Sequence, residues 1–208
     1  MILIGQYDSS FVRRAGIALA LYGIAFEHRP WSVFGDAERI RALNPLGRVP
    51  TLVLDDGEVL VDSPSILDHI DSLVEPEARL LAPSGQARRA QLRVIALATG
   101  LTDFAVSLFY TLAIEGGVAG SFLARRRTQI DGALDALEND RAALPGPYWF
   151  GARPGHADIA VACALRHVTE SLPRYFTLAA RPALAAHCAT LEAMPVFRTI
   201  SQPFIPPT

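Results

Sequence analysis

The chain has 208 residues, of which 50% are hydrophobic and 19% are charged, and its formal net charge is -2. This length allows one large domain or two small ones with a substantial buried core, and the composition excludes a disordered chain. A nearly neutral charge without a clustered basic segment argues against nucleic acid as a partner.

The N-terminus and the cysteines point to a cytoplasmic protein. Polar residues follow Met1-Ile2-Leu3-Ile4-Gly5 at once and no positive segment precedes it, which is not the pattern of a secretory signal. The longest uncharged apolar run, 15–26, is shorter than the ~20 residues of a membrane span. Cys163 and Cys188 form neither a CxxC pair nor a ligand cluster, so we expect no metal and no disulfide framework.

Strand and helix signals alternate at the start of the chain. The apolar run 2–4 predicts a strand, apolar residues at helical spacing over 11–22 predict a helix, and 25–29 alternates as a second strand would. This unit favours a parallel strand pair with a right-handed crossover. A short helix is predicted over 36–43.

A hairpin follows, with strands over 51–54 and 58–61 and the turn Asp56-Gly57, where glycine supplies a positive φ. Ser63-Pro64 then opens a helix that runs through Leu73, with serine as its cap and proline in its first turn. The order β-α-β-α-β-β-α is that of a thioredoxin-like fold, and we predict such a domain over 1–77.

The second part of the chain is predicted to be an all-helical domain over 85–208. Residues 78–84 have the composition of a linker, and no strand signal of comparable quality follows Val61. The helical patterns cover 86–115, 119–144, 157–172 and 181–194, with Gly116-Gly117 between the first two and a short last helix from Pro195.

Three polar motifs lie at element ends in the first domain. In 7–14, Ser9 or Ser10 can cap a helix, and the same helix N-terminus can stabilise an anion, where a serine hydroxyl would lower the pKa of a thiol. Pro50 enters a strand, where a cis Val49–Pro50 bond would expose the Val49 backbone to an extended peptide ligand. Proline alone favours trans, and its place before the third strand favours cis.

The third motif, Asp62-Ser63, is either a helix cap or a holder for an amino-acid head group, with the ligand carboxylate on the Ser63 N–H and the ammonium on Asp62. A fourth motif, at 155–159, has a purely structural explanation. Asp158 lies three residues after Gly155, as in half of a capping box, and we assign His156 no role.

These motifs, in this order, resemble the cytosolic glutathione transferase family over nearly the whole chain. The 9–14 segment is similar to the serine-type turn of bacterial, zeta, phi and tau members, and 44–52 resembles the loop before the family's cis-proline. Asp62-Ser63 resembles its acidic-serine pair, and 155–159 its C-domain capping motif. Each motif is weak alone, but the set is specific.

The resemblance implies a glutathione site. Ser9 would activate the glutathione sulfur, with Ser10 as the alternative, and the Val49 backbone would pair with the cysteinyl part. Asp62 and Ser63 would hold the γ-glutamyl end. The resemblance also assigns to this site Phe11, Arg48 and Pro50, with Arg48 toward the glycine end.

A second, hydrophobic substrate site is expected in the helical domain. Its candidate lining is Phe104, Leu108 and Tyr110, for which an ordinary core position is an equally good explanation. The family is usually dimeric, so a homodimer is expected. No cysteine occupies the Ser9 turn, which argues against protein-thiol exchange, and Gly155 replaces the usual serine or threonine cap.

The expected reaction is conjugation of the glutathione thiolate to a small hydrophobic electrophile, without a metal. Lowering a thiol pKa by two units needs ~2.7 kcal/mol. A hydroxyl hydrogen bond to the thiolate contributes ~1.5–3 kcal/mol, and a helix N-terminus adds ~0.3–1 kcal/mol. The alternatives are a non-catalytic binding protein of the same fold and a glutathione-dependent isomerase of the zeta type.

Overall fold

The computed structural model of the protein describes residues 1–113 and 120–206. The contacts divide the chain into two compact units. The first consists of Met1–Pro83 together with Met194–Thr208, and the second of Ser84–Ala193.

This division differs from the predicted domains at the end of the chain. The boundary after Pro83 falls within the expected linker, 78–84, but the last residues of the predicted helical domain, 85–208, group with the first unit. Arg13 gives the physical reason, because its buried guanidinium donates to the backbone oxygens of Phe197 and Ile200.

The first unit has the predicted order β-α-β-α-β-β-α. Its elements are β1 (Ile2–Ile4), α1 (Ser10–Leu21), β2 (Glu27–Arg29), α2 (Ala37–Leu43), β3 (Thr51–Val53), β4 (Val59–Val61) and α3 (Ser63–Ser72). A short 3-10 turn covers Pro76–Ala78, and α8 (Pro195–Thr199) also belongs to this unit.

The four strands form one mixed sheet in the order β2-β1-β3-β4. β1 and β2 are parallel, as predicted for the βαβ unit, and β3 is antiparallel to both β1 and β4. Leu3 and Leu52 face each other across β1 and β3 and are fully buried. The apolar sides of α1 and α3 are buried as well, so the core of this unit fixes where both helices begin.

Within residues 84–113 and 120–193, the second unit is built from helices. They are α4 (Gly85–Ala113), α5 (Ser121–Ala142), α6 (His156–Ser171) and α7 (Pro182–Glu192). Their positions agree with the predicted helices. The predicted ends at Glu115 and Ala119 and the Gly116-Gly117 break lie outside the described residues.

Helix α4 buries one side at intervals of three and four residues, as expected for a helix packed against neighbours on one face. These buried apolar residues are Val94, Ala98, Leu101, Ala105 and Leu108. Among the described residues, α4 is also the one helix long and apolar enough to cross a membrane by length and composition. Helices in the cores of soluble proteins meet the same criterion, so the expected absence of a membrane stays a prediction.

The start of α6 is held by Asp158, as the capping pattern predicts. Its carboxylate accepts hydrogen bonds from the backbone N–H of Gly155 at 2.9 Å and of Trp149 at 2.8 Å. His187 on α7 has its Nε2 3.8 Å from Asp158 Oδ1, and its ring lies edge-on to the Trp149 ring. Burial raises the pKa of Asp158 and lowers the pKa of His187, because each charged form is deprived of water.

Candidate functional site

A glycine brings the β1–α1 turn and the loop before β3 together. Gly5 has φ +125°, and a Cβ there would lie 2.5 Å from Val12 Cγ2 and 2.7 Å from Val49 Cβ. Both distances are too short for real carbon contacts. Only glycine therefore allows the start of α1 and the Val49 loop to meet at the end of β1.

Ser9 and Ser10 differ in access to solvent. Ser9 is half-buried and caps α1, with its Oγ accepting from the Val12 N–H at 3.5 Å. This contact uses a lone pair, so the hydroxyl proton can still be donated to another acceptor. Ser10 is the first residue of α1 and is only 4% exposed. The accessible hydroxyl at this helix start is therefore that of Ser9.

A second hydroxyl near the turn belongs to Tyr7, which is 9% exposed and stacks on the His28 ring at a centroid distance of 3.8 Å. His28 Nε2 lies 2.8 Å from the Gly5 carbonyl oxygen and donates to it. Burial raises the pKa of Tyr7 to about 12. The Tyr7 hydroxyl therefore stays protonated at neutral pH and does not act as a base.

The Val49–Pro50 peptide bond is cis, as its place in the fold predicts. No hydrogen bond joins the Val49 backbone to any residue that the structure describes. Pro50 is buried and Arg48 is exposed.

Asn44 organises this loop and was missed as a site residue by sequence reasoning. It is 1% exposed, and its side-chain amide donates to the Arg48 carbonyl at 2.9 Å and to Thr51 Oγ1 at 3.3 Å. The signal available in the sequence was an asparagine at a helix end, immediately before a proline. Asn44 thereby fixes both sides of the segment that contains Val49.

Asp62 has an unusual backbone for a residue with a side chain. Its φ is +67°, a conformation that costs about 1–3 kcal/mol and that is concentrated at functional sites. Its carboxylate accepts from the Ser63 N–H at 2.7 Å. The prediction that Ser63 is the cap of this helix is therefore wrong, because Asp62 caps α3 and Ser63 is its first residue.

Arg14 joins the starts of α1 and α3. It is 2% exposed, and its Nη2 donates to Ser63 Oγ at 2.6 Å, while its guanidinium lies 6.0 Å from the Phe11 ring. Ser63 is fully buried. Arg14 belongs to the 7–14 motif, but the sequence alone gave this residue no role. The structure adds its permanent positive charge to the partial positive charges of two helix N-termini, so this region favours an anion.

The candidates on α4 have three different environments. Phe104 is half-buried, with the Arg126 guanidinium 4.9 Å from its ring centroid. Leu108 is 1% exposed and packs in the core of the second unit, so it is an ordinary core residue and not part of a ligand site. Tyr110 is 38% exposed. Phe104 and Tyr110 therefore remain candidates for contact with a ligand.

In the part of the chain that the structure describes, no three histidine, cysteine, aspartate or glutamate residues lie close enough together to hold a metal ion. Cys163 is buried and Cys188 is half-buried.

Comparison with known sequences identifies both parts of the chain. The sequence model "Glutathione S-transferase, N-terminal domain" matches residues 3–78, and "Glutathione S-transferase, C-terminal domain" matches residues 121–190. The chain is 34% identical to the GST-like protein YibF of Escherichia coli over 139 residues, which are 66% of this chain and 68% of that protein. It is 28% identical to maleylacetoacetate isomerase of Mus musculus, over 97% of this chain and 92% of that protein.

Solved structures are similar over the whole chain. A glutathione S-transferase of Methylobacterium radiotolerans in complex with glutathione sulfonate has a TM-score of 0.90 and 28% identity, covering 100% of this chain and 97% of that one. A glutathione S-transferase of Methylobacillus flagellatus with glutathione bound has a TM-score of 0.86 and 27% identity, and the match covers 98% of this chain and 99% of that one.

Proposed function

Because the chain belongs to the glutathione S-transferase family, we propose that it binds glutathione in its first unit and joins the sulfur to a small hydrophobic electrophile. The observation that supports this proposal is that α1 reaches all three parts of the proposed site. Its start, which carries Ser9, meets the Val49 loop at Gly5, and its Arg14 donates to Ser63 beside the Asp62 cap.

In the proposed complex, the cysteinyl part of glutathione lies along Val49 and forms backbone hydrogen bonds as an added strand does. The γ-glutamyl carboxylate replaces the Asp62 carboxylate as the hydrogen-bond acceptor of the Ser63 N–H. Asp62 then accepts a hydrogen bond from the ligand's ammonium group. Arg14 supports this exchange, since it fixes Ser63 and adds positive charge next to the carboxylate. The exposed Arg48 is available to the glycine end.

The proposed chemistry begins with ionisation of the thiol. Ser9 donates its hydroxyl proton in a hydrogen bond to the sulfur, which stabilises the thiolate, and the thiol proton passes to water. The sulfur then forms a bond to the electrophilic carbon, and the leaving group departs with the electron pair of its own bond. Within the helical unit, Phe104 and Tyr110 are candidates for contact with an apolar ligand.

A glutathione-dependent isomerase is the second candidate, and the similarity to maleylacetoacetate isomerase favours it. There the thiolate would add to a conjugated carbon–carbon double bond, rotation would follow, and elimination would return free glutathione. Product analysis separates the two functions. An unsaturated diacid isomerised without loss of glutathione supports the isomerase, and a stable conjugate supports the transferase.

Retention on immobilised glutathione tests the binding site. We expect Ser63→Ala combined with Asp62→Ala to lower retention at least tenfold, because the head-group contacts are removed. Ser72→Ala is the matched control, since Ser72 lies exposed at the end of the same helix and its hydroxyl donates to the His69 carbonyl. Equal retention of the double variant and the control would contradict the proposed site.

A further inference from the structure

The end of α8 and the segment that follows it, residues 200–205, are fixed to α1 by a buried arginine. Arg13 is 2% exposed and donates from Nε to the Ile200 carbonyl and from Nη2 to the Phe197 carbonyl, both at 2.8 Å. Its guanidinium also lies 5.4 Å from the buried Phe197 ring. A charged group this well bonded in the interior sets the position of the chain after α8.

Beyond Ile200 the segment reaches the two residues that precede Ser9. Gln202 Oε1 accepts from the Tyr7 backbone N–H at 3.3 Å, and the Ile205 N–H donates to the Asp8 carboxylate at 3.1 Å. The turn is also closed internally, since the Ser9 N–H donates to the Gln6 carbonyl at 3.2 Å. The turn that carries Ser9 is therefore held from the C-terminal side.

The approach between segment and turn is close. A Cβ on Gly16 of α1 would lie 3.0 Å from Ile200 Cγ2 and 3.0 Å from Tyr7 Cε1, so both side chains lie against the helix backbone at Gly16. Because Gln202 of this segment also accepts from the Tyr7 N–H, a movement of the segment would displace Tyr7. Because Ser9 follows Tyr7 by two residues, such a movement would also redirect the Ser9 hydroxyl.

We propose that Gln202 is a positioning residue for Ser9, and that the segment 200–205 orients the catalytic turn. This inference rests on the proposed function, in which the Ser9 hydroxyl must point at the glutathione sulfur. The Tyr7 N–H lies after β1 and before α1, so neither element supplies its acceptor. Gln202 supplies that acceptor, and a misplacement of about 1 Å in a reacting group can lower a rate about a hundredfold.

The test compares Gln202→Leu, which removes the acceptor at similar volume, with Gln202→Glu, which retains one. Gln86→Leu, at an exposed position in the first turn of α4, is the matched control. Each variant is assayed for conjugation of 1-chloro-2,4-dinitrobenzene across pH, for glutathione affinity by calorimetry, and for thermal unfolding. Ser9→Ala is assayed in parallel.

We expect Gln202→Leu to lower kcat/KM at neutral pH by about tenfold, the effect of raising the apparent pKa of the bound thiol by one unit. Glutathione affinity and the unfolding temperature should stay close to those of wild type, and Gln202→Glu should recover most of the rate. The control Gln86→Leu should match wild type.

The inference is overturned if Gln202→Leu leaves the pH profile unchanged while Ser9→Ala shifts it. It is also overturned if affinity, stability and rate fall together in Gln202→Leu and Gln202→Glu does not restore them, because the segment would then serve folding alone. If Ser9→Ala itself leaves the rate and profile unchanged, the proposed function fails first, and this outcome is distinct from both others.

Discussion

Two residues of the proposed site, Asp62 and Arg14, have features that are costly for the stability of the fold. Asp62 holds a φ of +67°, which a side chain tolerates only at a cost, yet its carboxylate caps α3 through the Ser63 N–H. Arg14 is a buried cation whose hydrogen bond goes to Ser63 Oγ. Both are explained most simply by a ligand that brings a carboxylate and an ammonium group to this corner of the molecule.

Asp62→Gly should therefore separate stability from function. Glycine adopts positive φ freely and is a tolerable cap, so we expect the free energy of unfolding to rise by about 0.5–1 kcal/mol. Asp62→Ala keeps the backbone strain and loses the cap, so it should lower the free energy of unfolding instead. Both variants should bind glutathione at least tenfold more weakly in calorimetry. Unchanged affinity in both would show that Asp62 is only a cap.

At the scale of elements, the site depends on how closely β1, α1 and the Val49 loop approach at Gly5. We expect Gly5→Ala to destabilise the protein by more than about 2 kcal/mol in urea unfolding, since a Cβ would overlap Val12 and Val49 in addition to the backbone strain. Gly57→Ala is the control. It has a positive φ of +91° but nothing within 4 Å, so only strain should appear. Equal losses in the two variants would contradict the close approach.

The contact between α6 and α7 predicts a pH dependence of stability. Burial lowers the pKa of His187; the neighbouring Asp158 carboxylate opposes this shift and Arg141 adds to it. An unfolded histidine takes up its proton near pH 6.5, before the folded one does. The contribution of His187 to stability is therefore fully present above about pH 6.5 and is lost as pH falls toward the lowered pKa, by at most about 1.4 kcal/mol per pH unit.

The measurement is urea unfolding between pH 5 and 8. We expect His187→Phe to have a flatter profile than wild type, because the titrating group is absent. If the slopes of the two proteins coincide, His187 does not titrate differently in the folded state.

For the whole molecule, the features that depend on local pattern could be predicted from the sequence. The element order, the Asp158 cap and the cis bond at Pro50 came from periodicity, spacing and place in the fold. The contact between Arg14 and Ser63 did not, because their 49-residue separation gives no local signal. The return of Met194–Thr208 to the first unit was missed for the same reason, since it depends on Arg13 contacts made only after folding.

A homodimer is the remaining proposal at this scale, based on the family. Light scattering after size-exclusion chromatography should give twice the chain mass of 22.5 kDa. The mass of a single chain at micromolar concentration would contradict it.

The proposed role of Ser9 is to stabilise the glutathione thiolate, and the pKa of the bound thiol can be measured from the ultraviolet absorbance of the thiolate against pH. Wild type should ionise glutathione about two units below the ~8.5 of a free thiol. Ser9→Ala should raise that pKa by at least one unit, while Tyr7→Phe should leave it unchanged, since the Tyr7 hydroxyl is buried and protonated. Identical titrations of wild type and Ser9→Ala would show that Ser9 does not stabilise the thiolate.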